Sequence, residues 1–352
     1  MTFFQRFFIF FALLICNFSV MATVILQYHH VSESSPASTS ISPKQFEAHL
    51  QYLKDQHFTV IPLNQLVENI KQQKPLPDKS VVITFDDAFK DILTNGTPLL
   101  EKFGFPYTIF VNPGIVNNGS SSYMSWEELK ALSDKGVLLA NHGYYHDSLT
   151  RVPAGENPQT WLKEQIALLN KAEQEIKEKT GQSWKYYAYP YGEYTPEIQF
   201  ALEQEGYAAL TQQSGAAGLQ TDLTTIPRFP ASQPYDKLSS LRDKLRSLSF
   251  NITLNEEQNK TVVQHGEVKS VIFNVVADDF RPSQLNCYVS GLGRQQIKWL
   301  DDENFMLTFD KDLPSGRVRC NCTAPSISEP GRYYWYSKPW FVLKPDQSWY
   351  PL

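Results

Sequence analysis

The sequence predicts an α/β domain of parallel βαβ units, of the kind that close into a barrel, followed by a small antiparallel β-sandwich. Three observations predict it. Between residues 24 and 210, short apolar runs alternate with stretches of helical periodicity, as βαβ units require. Past residue 245 the helical stretches stop, and strand-like runs separated by turn residues follow one another. The length, 352 residues, exceeds what one hydrophobic core comfortably organises.

Residues 1–22 contain Arg6, the apolar run Phe7–Cys16 and the ending Val20-Met21-Ala22, the pattern of a secretory signal peptide. A membrane span needs roughly 20 apolar residues, so this run is too short for a good anchor. Cys16 raises a lipoprotein alternative, but Ile15 stands where such signals carry a small residue. Cleavage after Ala22 and export, to the periplasm or the extracellular space, are expected. Strands are expected at 24–28, 80–85, 107–111, 137–140, 186–189 and 208–210, each a short apolar run. Ser42-Pro43 reads as the cap and first turn of a helix over 43–55, and further helices are expected near 91–102, 125–134, 158–179 and 195–205. The sandwich strands are expected at 271–276, 286–290, 297–300, 305–309, 317–322 and 333–342, with turns such as Pro314-Ser315-Gly316 between them. Polar residues dominate 233–262, which places the expected domains at 23–240 and 241–352.

Apolar residues at 42% and charged residues at 20% fit a folded chain. Lysine and arginine number 32 against 37 acids, and a chain without clustered cations does not neutralise nucleic-acid phosphates. Cys16 leaves with the signal, so Cys287, Cys320 and Cys322 remain, in a compartment that permits a disulfide. Cys320 and Cys322 face one side of a strand. Either one pairs with Cys287 across a sheet or all three are buried thiols. No histidine but the distant His265 accompanies them, which argues against a metal role.

Three segments at the ends of expected parallel strands carry chemistry, because α/β folds keep their active sites there. Thr84-Phe85-Asp86-Asp87 supplies adjacent carboxylates, which in a dry site are stabilised by a cation or pushed apart in pKa. Such a pair also commonly caps a following helix. Asn141-His142-Gly143-Tyr144-Tyr145-His146 supplies two imidazoles four apart. With Asp87 they make a two-nitrogen, one-oxygen set that leaves positions open for water and substrate, the mark of a catalytic metal site. Of the seven histidines, these two end one strand, and His29 and His30 end another. Ala188-Tyr189-Pro190-Tyr191-Gly192 suits a tight turn presenting a backbone N–H to a cleft, although by itself it is an ordinary turn.

The order and spacing of these segments resemble the polysaccharide deacetylases of carbohydrate esterase family 4, the NodB-homology domain. That family carries Thr-Phe-Asp-Asp, His-x-x-x-His and Arg-x-Pro-Tyr-Gly, and the resemblance covers roughly residues 24–230. It implies a distorted (β/α) barrel of the NodB-homology type. It further implies Asp86 as general base, Asp87, His142 and His146 as ligands of a divalent metal, most commonly Zn2+, and Tyr191 as donor of a backbone N–H to an oxyanion. Two departures stand out. Ala188 occupies the place of the family's arginine, which orients the base, and no Leu-x-x-His follows residue 192. Leu26-Gln27-Tyr28-His29-His30-Val31 resembles instead the N-terminal Tyr-His motif of the branch acting on poly-β-1,6-N-acetylglucosamine. That alignment puts the general acid at His29, with His30 the less favoured neighbour. Arg228, in Ile226-Pro227-Arg228-Phe229-Pro230, is a candidate near the site without an assigned role.

The resemblance implies removal of N-acetyl groups from an exported or envelope N-acetylglucosamine polymer, releasing acetate. The two departures motivate an alternative, a silent carbohydrate-binding or assembly protein on the same scaffold, and an O-acetyl esterase acting on xylan-like polymers would use the same residues. Tyr333–Tyr336 and Trp340 suit an accessory domain that contacts glycan or an envelope or exopolysaccharide machinery partner, although strand alternation would bury about half of them.

Overall fold

The structure, a computed structural model, describes residues 22–255, 257–276 and 278–352. The expected export signal lies, but for Ala22, outside the described residues. Among the described residues no helix is long and apolar enough to cross a membrane.

Six strands lie side by side in chain order: Thr23–Tyr28 (β1), Ser80–Phe85 (β2), Thr108–Val111 (β3), Leu138–Asn141 (β4), Tyr186–Ala188 (β5) and Ala208–Leu210 (β6). Every neighbouring pair is parallel. Helices connect them, and they start where the sequence offers caps. The Ser42 side chain accepts from the Gln45 N–H at the start of Pro43–Asp55, and Ser125 and Glu128 form a capping box on Trp126–Asp134. Asn157 and Thr195 cap Pro158–Thr180 and Pro196–Gln204, each with proline in the first turn. Helix Leu63–Lys71 was not among the expected elements, although Leu63, Leu66, Val67 and Ile70 share its buried face.

The sheet curls, and an irregular segment joins its ends. Leu210 bridges Ile226, and three residues later Phe229 and Pro230 pair in parallel with Leu26 and Gln27 of β1. Residues 226–230 therefore stitch β6 to β1, giving the distorted (β/α) barrel expected. Period-two alternation then decides what faces inward. Ile25, Val82, Phe110, Ala140, Ala188 and Leu210 form one buried cluster with helix Leu63–Lys71. Leu26, Ile83, Ile109 and Leu139, one step off in register, pack in another with helices Pro43–Asp55 and Trp126–Asp134.

Beyond helix Leu238–Lys244, which packs on Pro43–Asp55, the chain forms a six-stranded and a four-stranded sheet. The long hairpin Gly316–Pro325 (β7) and Tyr333–Val342 (β8) anchors the first, and Asn286–Val289 pairs antiparallel with β7. Two short strands, Ser247–Ser249 and Val262–Val263, add to β8 in parallel. Cys287 stands directly opposite Cys322 and forms a disulfide with it, while Cys320 is a buried free thiol. The arrangement with all three cysteines reduced is thereby excluded. Of the aromatic run, Tyr334 and Trp340 are buried in the core that continues into the barrel.

Candidate active site

The inner rows of the barrel end in polar side chains. The Asp86 N–H donates to Tyr28 O at 3.0 Å and continues the ladder past β2, so Asp86 shares the inward side with Val82 and Thr84. The His142 N–H likewise donates to Val111 O at 2.9 Å and extends β4. Both residues are fully buried.

Asp87, His142 and His146 converge, with ligand atoms all within 4.8 Å of one another. Asp87 Oδ1 lies 3.4 Å from His142 Nε2 and 3.5 Å from His146 Nε2. His142 Nδ1 meets the Ala188 carbonyl at 2.7 Å; since a carbonyl only accepts, the ring proton sits on Nδ1. Nε2 is then a lone pair, buried and without a hydrogen-bond partner among the described residues. An orphaned buried acceptor is costly, whereas an imidazole fixed through its other nitrogen is how metal-binding histidines are oriented. The donor set therefore fits a divalent ion. Burial and the neighbouring His142 hold His146 neutral, its pKa pushed down to about 4. Burial acts the same way on His142, but the Asp87 and Asp86 carboxylates outweigh it and its pKa goes up. The field that favours a proton there would favour a cation equally.

Asp86 is held differently. Burial alone would raise its pKa, but the Arg228 guanidinium, aided by nearby histidines, carries it far below the carboxylate range. Arg228 is itself fully buried and bidentate, Nη1 to Oδ1 at 2.7 Å and Nη2 to Oδ2 at 2.9 Å, and its Nε donates to Thr211 O. Gln27 donates to Oδ2 at 2.7 Å. Arg228 comes from the stitch that closes the barrel, and so reaches the carboxylate from outside the strand end where Ala188 stands. His29 Nε2 lies 3.8 Å from Asp86 Oδ2. His30 turns elsewhere, to Asp91 at 2.6 Å and onto the Phe89 ring at 3.7 Å.

Asp87, His146 and Tyr191 adopt left-handed backbone conformations, φ 72°, 65° and 58°. Each costs on the order of 1–3 kcal/mol and persists only where the surroundings enforce it. For the Tyr191 turn those surroundings are visible. A Cβ on Gly192 would lie 2.6 Å from Gln212 Cβ, so the turn needs glycine. Glu193, buried, accepts from Ser148 at 2.6 Å, from Arg151 through two nitrogens at 2.7 and 2.9 Å, and from the Tyr350 hydroxyl at 2.6 Å. This network ties the loop after His146, the turn after Tyr191 and the C-terminal segment into one unit. Arg317 of β7 also donates to Tyr191 O at 3.3 Å, and the Tyr191 ring packs edge-on against His146, centroids 4.6 Å apart.

The structure thus gathers Asp86, Asp87, His29, His142, His146 and Tyr191 at one end of the barrel and sends His265 to Asp312 in the β-sheets. Sequence reasoning missed Gln27, Glu193 and the part Arg228 plays. Gln27 had a signal, a polar residue inside an apolar strand. Arg228 had none in periodicity, because its segment owes its place to closure.

The polysaccharide deacetylase family profile matches residues 73–210. Over 209 residues the chain is 27% identical to YxkH of Bacillus subtilis (strain 168), whose name assigns it provisionally to that family; the alignment covers 59% of this chain and 71% of the relative. Over 169 residues it is 29% identical to the poly-beta-1,6-N-acetyl-D-glucosamine N-deacetylase of Staphylococcus aureus (strain MRSA252), covering 47% of this chain and 58% of that enzyme. Among solved structures, IcaB from Ammonifex degensii superposes with TM-score 0.54 at 26% identity, over 62% of this chain and 96% of that one.

Proposed function

On the premise that this chain carries a polysaccharide deacetylase domain, we propose that it is a metal-dependent N-deacetylase of an exported or cell-envelope N-acetylglucosamine polymer. One observation carries the reading: Asp87 and the two histidines converge, with an uncommitted His142 lone pair, beside a carboxylate that burial cannot neutralise. Asp87, His142 and His146 would hold the divalent ion, which when bound supplies polarisation of the acetyl carbonyl and a lowered pKa for water. Asp86 is the base for that water's proton, oriented by Arg228 and Gln27. The Tyr191 N–H donates to the developing oxyanion. His29 protonates the departing sugar amine, so that acetate and a glucosamine residue are released. For that step the ring must be imidazolium. Burial lowers the His29 pKa against the pull of Asp86 and Asp87, so its protonated fraction, and turnover with it, falls as pH rises.

The silent-scaffold reading loses its motive, because Arg228 and His29 supply the two groups whose usual positions are vacant in the sequence. The likeness to an N-deacetylase favours amide over ester substrates. The Cys287–Cys322 disulfide supports export, since the cytosol keeps thiols reduced. We assign residues 23–240 to catalysis and 241–352 to an accessory role. The test is acetate release from β-1,6- and β-1,4-linked N-acetylglucosamine oligomers and from acetylated xylan, with Zn2+-loaded and chelator-treated protein. Metal-dependent release from an N-acetylglucosamine oligomer is expected. Release from xylan alone would move the assignment to an esterase, and none from any substrate would restore the silent scaffold.

A further inference from the structure

Between the barrel and the β-sheets runs a cleft of about 830 Å3, within the size range of small-molecule sites. None of Asp86, Asp87, His142 and His146 lines it. One wall is a face of the six-stranded sheet, and register fixes its members: Tyr288 stands beside Asn321, and Thr323 beside Trp335. The alternate positions, Cys287, Cys320 and Cys322, are buried on the opposite face. The other wall comes from Phe229, Pro230, Tyr235 and Lys244, at and beyond the closing stitch of the barrel.

Three properties of this lining point the same way. Tyr288 and Tyr235 are 48% and 45% exposed, large rings left open at the rim of a cleft. With Tyr333 and Trp335, whose centroids are 6.0 Å apart, they offer flat apolar faces. Asn321 accepts through Oδ1 from Ser337 and Trp335, which leaves its amide N–H groups free to donate outward. Arg319 is the third. It projects from the middle of β7, is largely covered, and its guanidinium makes no hydrogen bond or ion pair among the described residues. Burial pulls its pKa down, as expected of a cation without a partner. Its charged neighbours do not answer it. Lys244 donates to Pro230 O, and Arg332 lies 3.6 Å from Asp78. Asp243 is the acidic residue of the lining, against three basic ones.

We propose that this cleft is a second glycan site, separate from the metal centre, which takes a pyranose bearing a carboxylate. The sugar face stacks on the rim tyrosines and the carboxylate pairs with Arg319. The choice of a sugar rests on the deacetylase reading, but the charge requirement rests on Arg319 alone. A cationic glucosamine product would be repelled here, so the cleft selects chain that is acidic and not yet deacetylated.

The experiment is calorimetric titration of the full chain with three tetrasaccharides: alternating glucuronic acid and N-acetylglucosamine, alternating N-acetylmuramic acid and N-acetylglucosamine, and N-acetylglucosamine alone. At least one acidic tetramer is expected to bind tenfold or more tighter than the neutral one, and which does so distinguishes a uronate from a lactyl carboxylate. Arg319→Gln should reduce that preference to within twofold, and Tyr288→Ala, at an exposed position that leaves folding intact, should weaken acidic and neutral tetramers together. Chelator treatment should leave the preference unchanged. Equal binding of all three, no binding at millimolar concentration, a preference that survives Arg319→Gln, or one lost with the metal would each overturn the proposal. The titration reads binding alone, so a chain that releases no acetate in the separate assay but keeps its acidic-sugar preference would sink the deacetylase reading and leave this one standing.

Discussion

Asp87, His142 and His146 at the barrel mouth and Cys287, Cys320 and Cys322 in the β-sheets each bring three ligand atoms within 4.8 Å of one another. Geometry alone does not tell them apart; protonation and covalent state do. In the cysteine cluster two sulfurs are spent on each other, and burial pushes the remaining Cys320 thiol up to about 12, so it carries no thiolate to offer a metal. In the barrel cluster Asp87 is held ionised, against burial, by its histidine neighbours, His146 is neutral, and the His142 lone pair is uncommitted. The first cluster holds the chain together. The second is arranged to hold something else.

The sharpest way to break that contrast is substitution within the barrel cluster. His142→Ala should lose bound metal and roughly 100-fold or more in turnover, measured by metal analysis and acetate release, because it removes a ligand that the fold orients through Ala188 O. Asp86→Asn should lose comparable turnover while keeping the metal. Equal metal loss in both variants would contradict the division of labour between the two aspartates. Next in size is Arg228→Met, which leaves Asp86 buried without its cation and should cost about 3–5 kcal/mol in denaturant unfolding. Activity should fall too, and Arg228→Lys should not restore it, since an ammonium cannot reproduce the two-point contact.

That the role of Arg228, and not its candidacy, became visible only in three dimensions shows where the sequence stops being legible. Asp86, His142 and their strands were readable because period-two alternation and strand-end position are local properties. The strands of the β-sheets were readable for the same reason. Tyr191 and His146 were readable as motif positions, but their left-handed backbones were not, because Glu193, Arg151 and Tyr350 enforce them from three separate stretches of chain. Contacts made by closure, by the stitch at 226–230 and by the C-terminal segment, leave no periodic trace.

The cysteine cluster should respond in the opposite sense. Cys287→Ser opens a link spanning 35 residues and should lower stability by about 2–4 kcal/mol through the entropy of the unfolded chain. Metal content and turnover per folded molecule should not change. Loss of metal in that variant would mean that the two regions are coupled more tightly than their chemistry indicates.

The smallest expected effect lies between the two regions, at Glu193. Burial would raise its pKa, but Arg151, Ser148 and Tyr350 outweigh burial and lower it. A carboxylate whose folded pKa lies below its unfolded one contributes stability that is present above the unfolded value, ordinarily near 4.3, and is lost as pH falls through the folded one. Thermal stability should therefore drop on acidification below about pH 5. In Glu193→Gln that part of the drop should vanish, with stability at neutral pH lower by about 2–3 kcal/mol, less than a fully buried pair because Arg151 keeps some solvent contact. Tyr191 and His146 are held by the same network, so the variant should also lower kcat more than it raises KM. A structural tie with no bearing on the site would shift the acid limb and leave kcat unchanged. Such a result would separate the C-terminal segment from catalysis and leave Gly192 and Arg317 as the restraints on the Tyr191 turn.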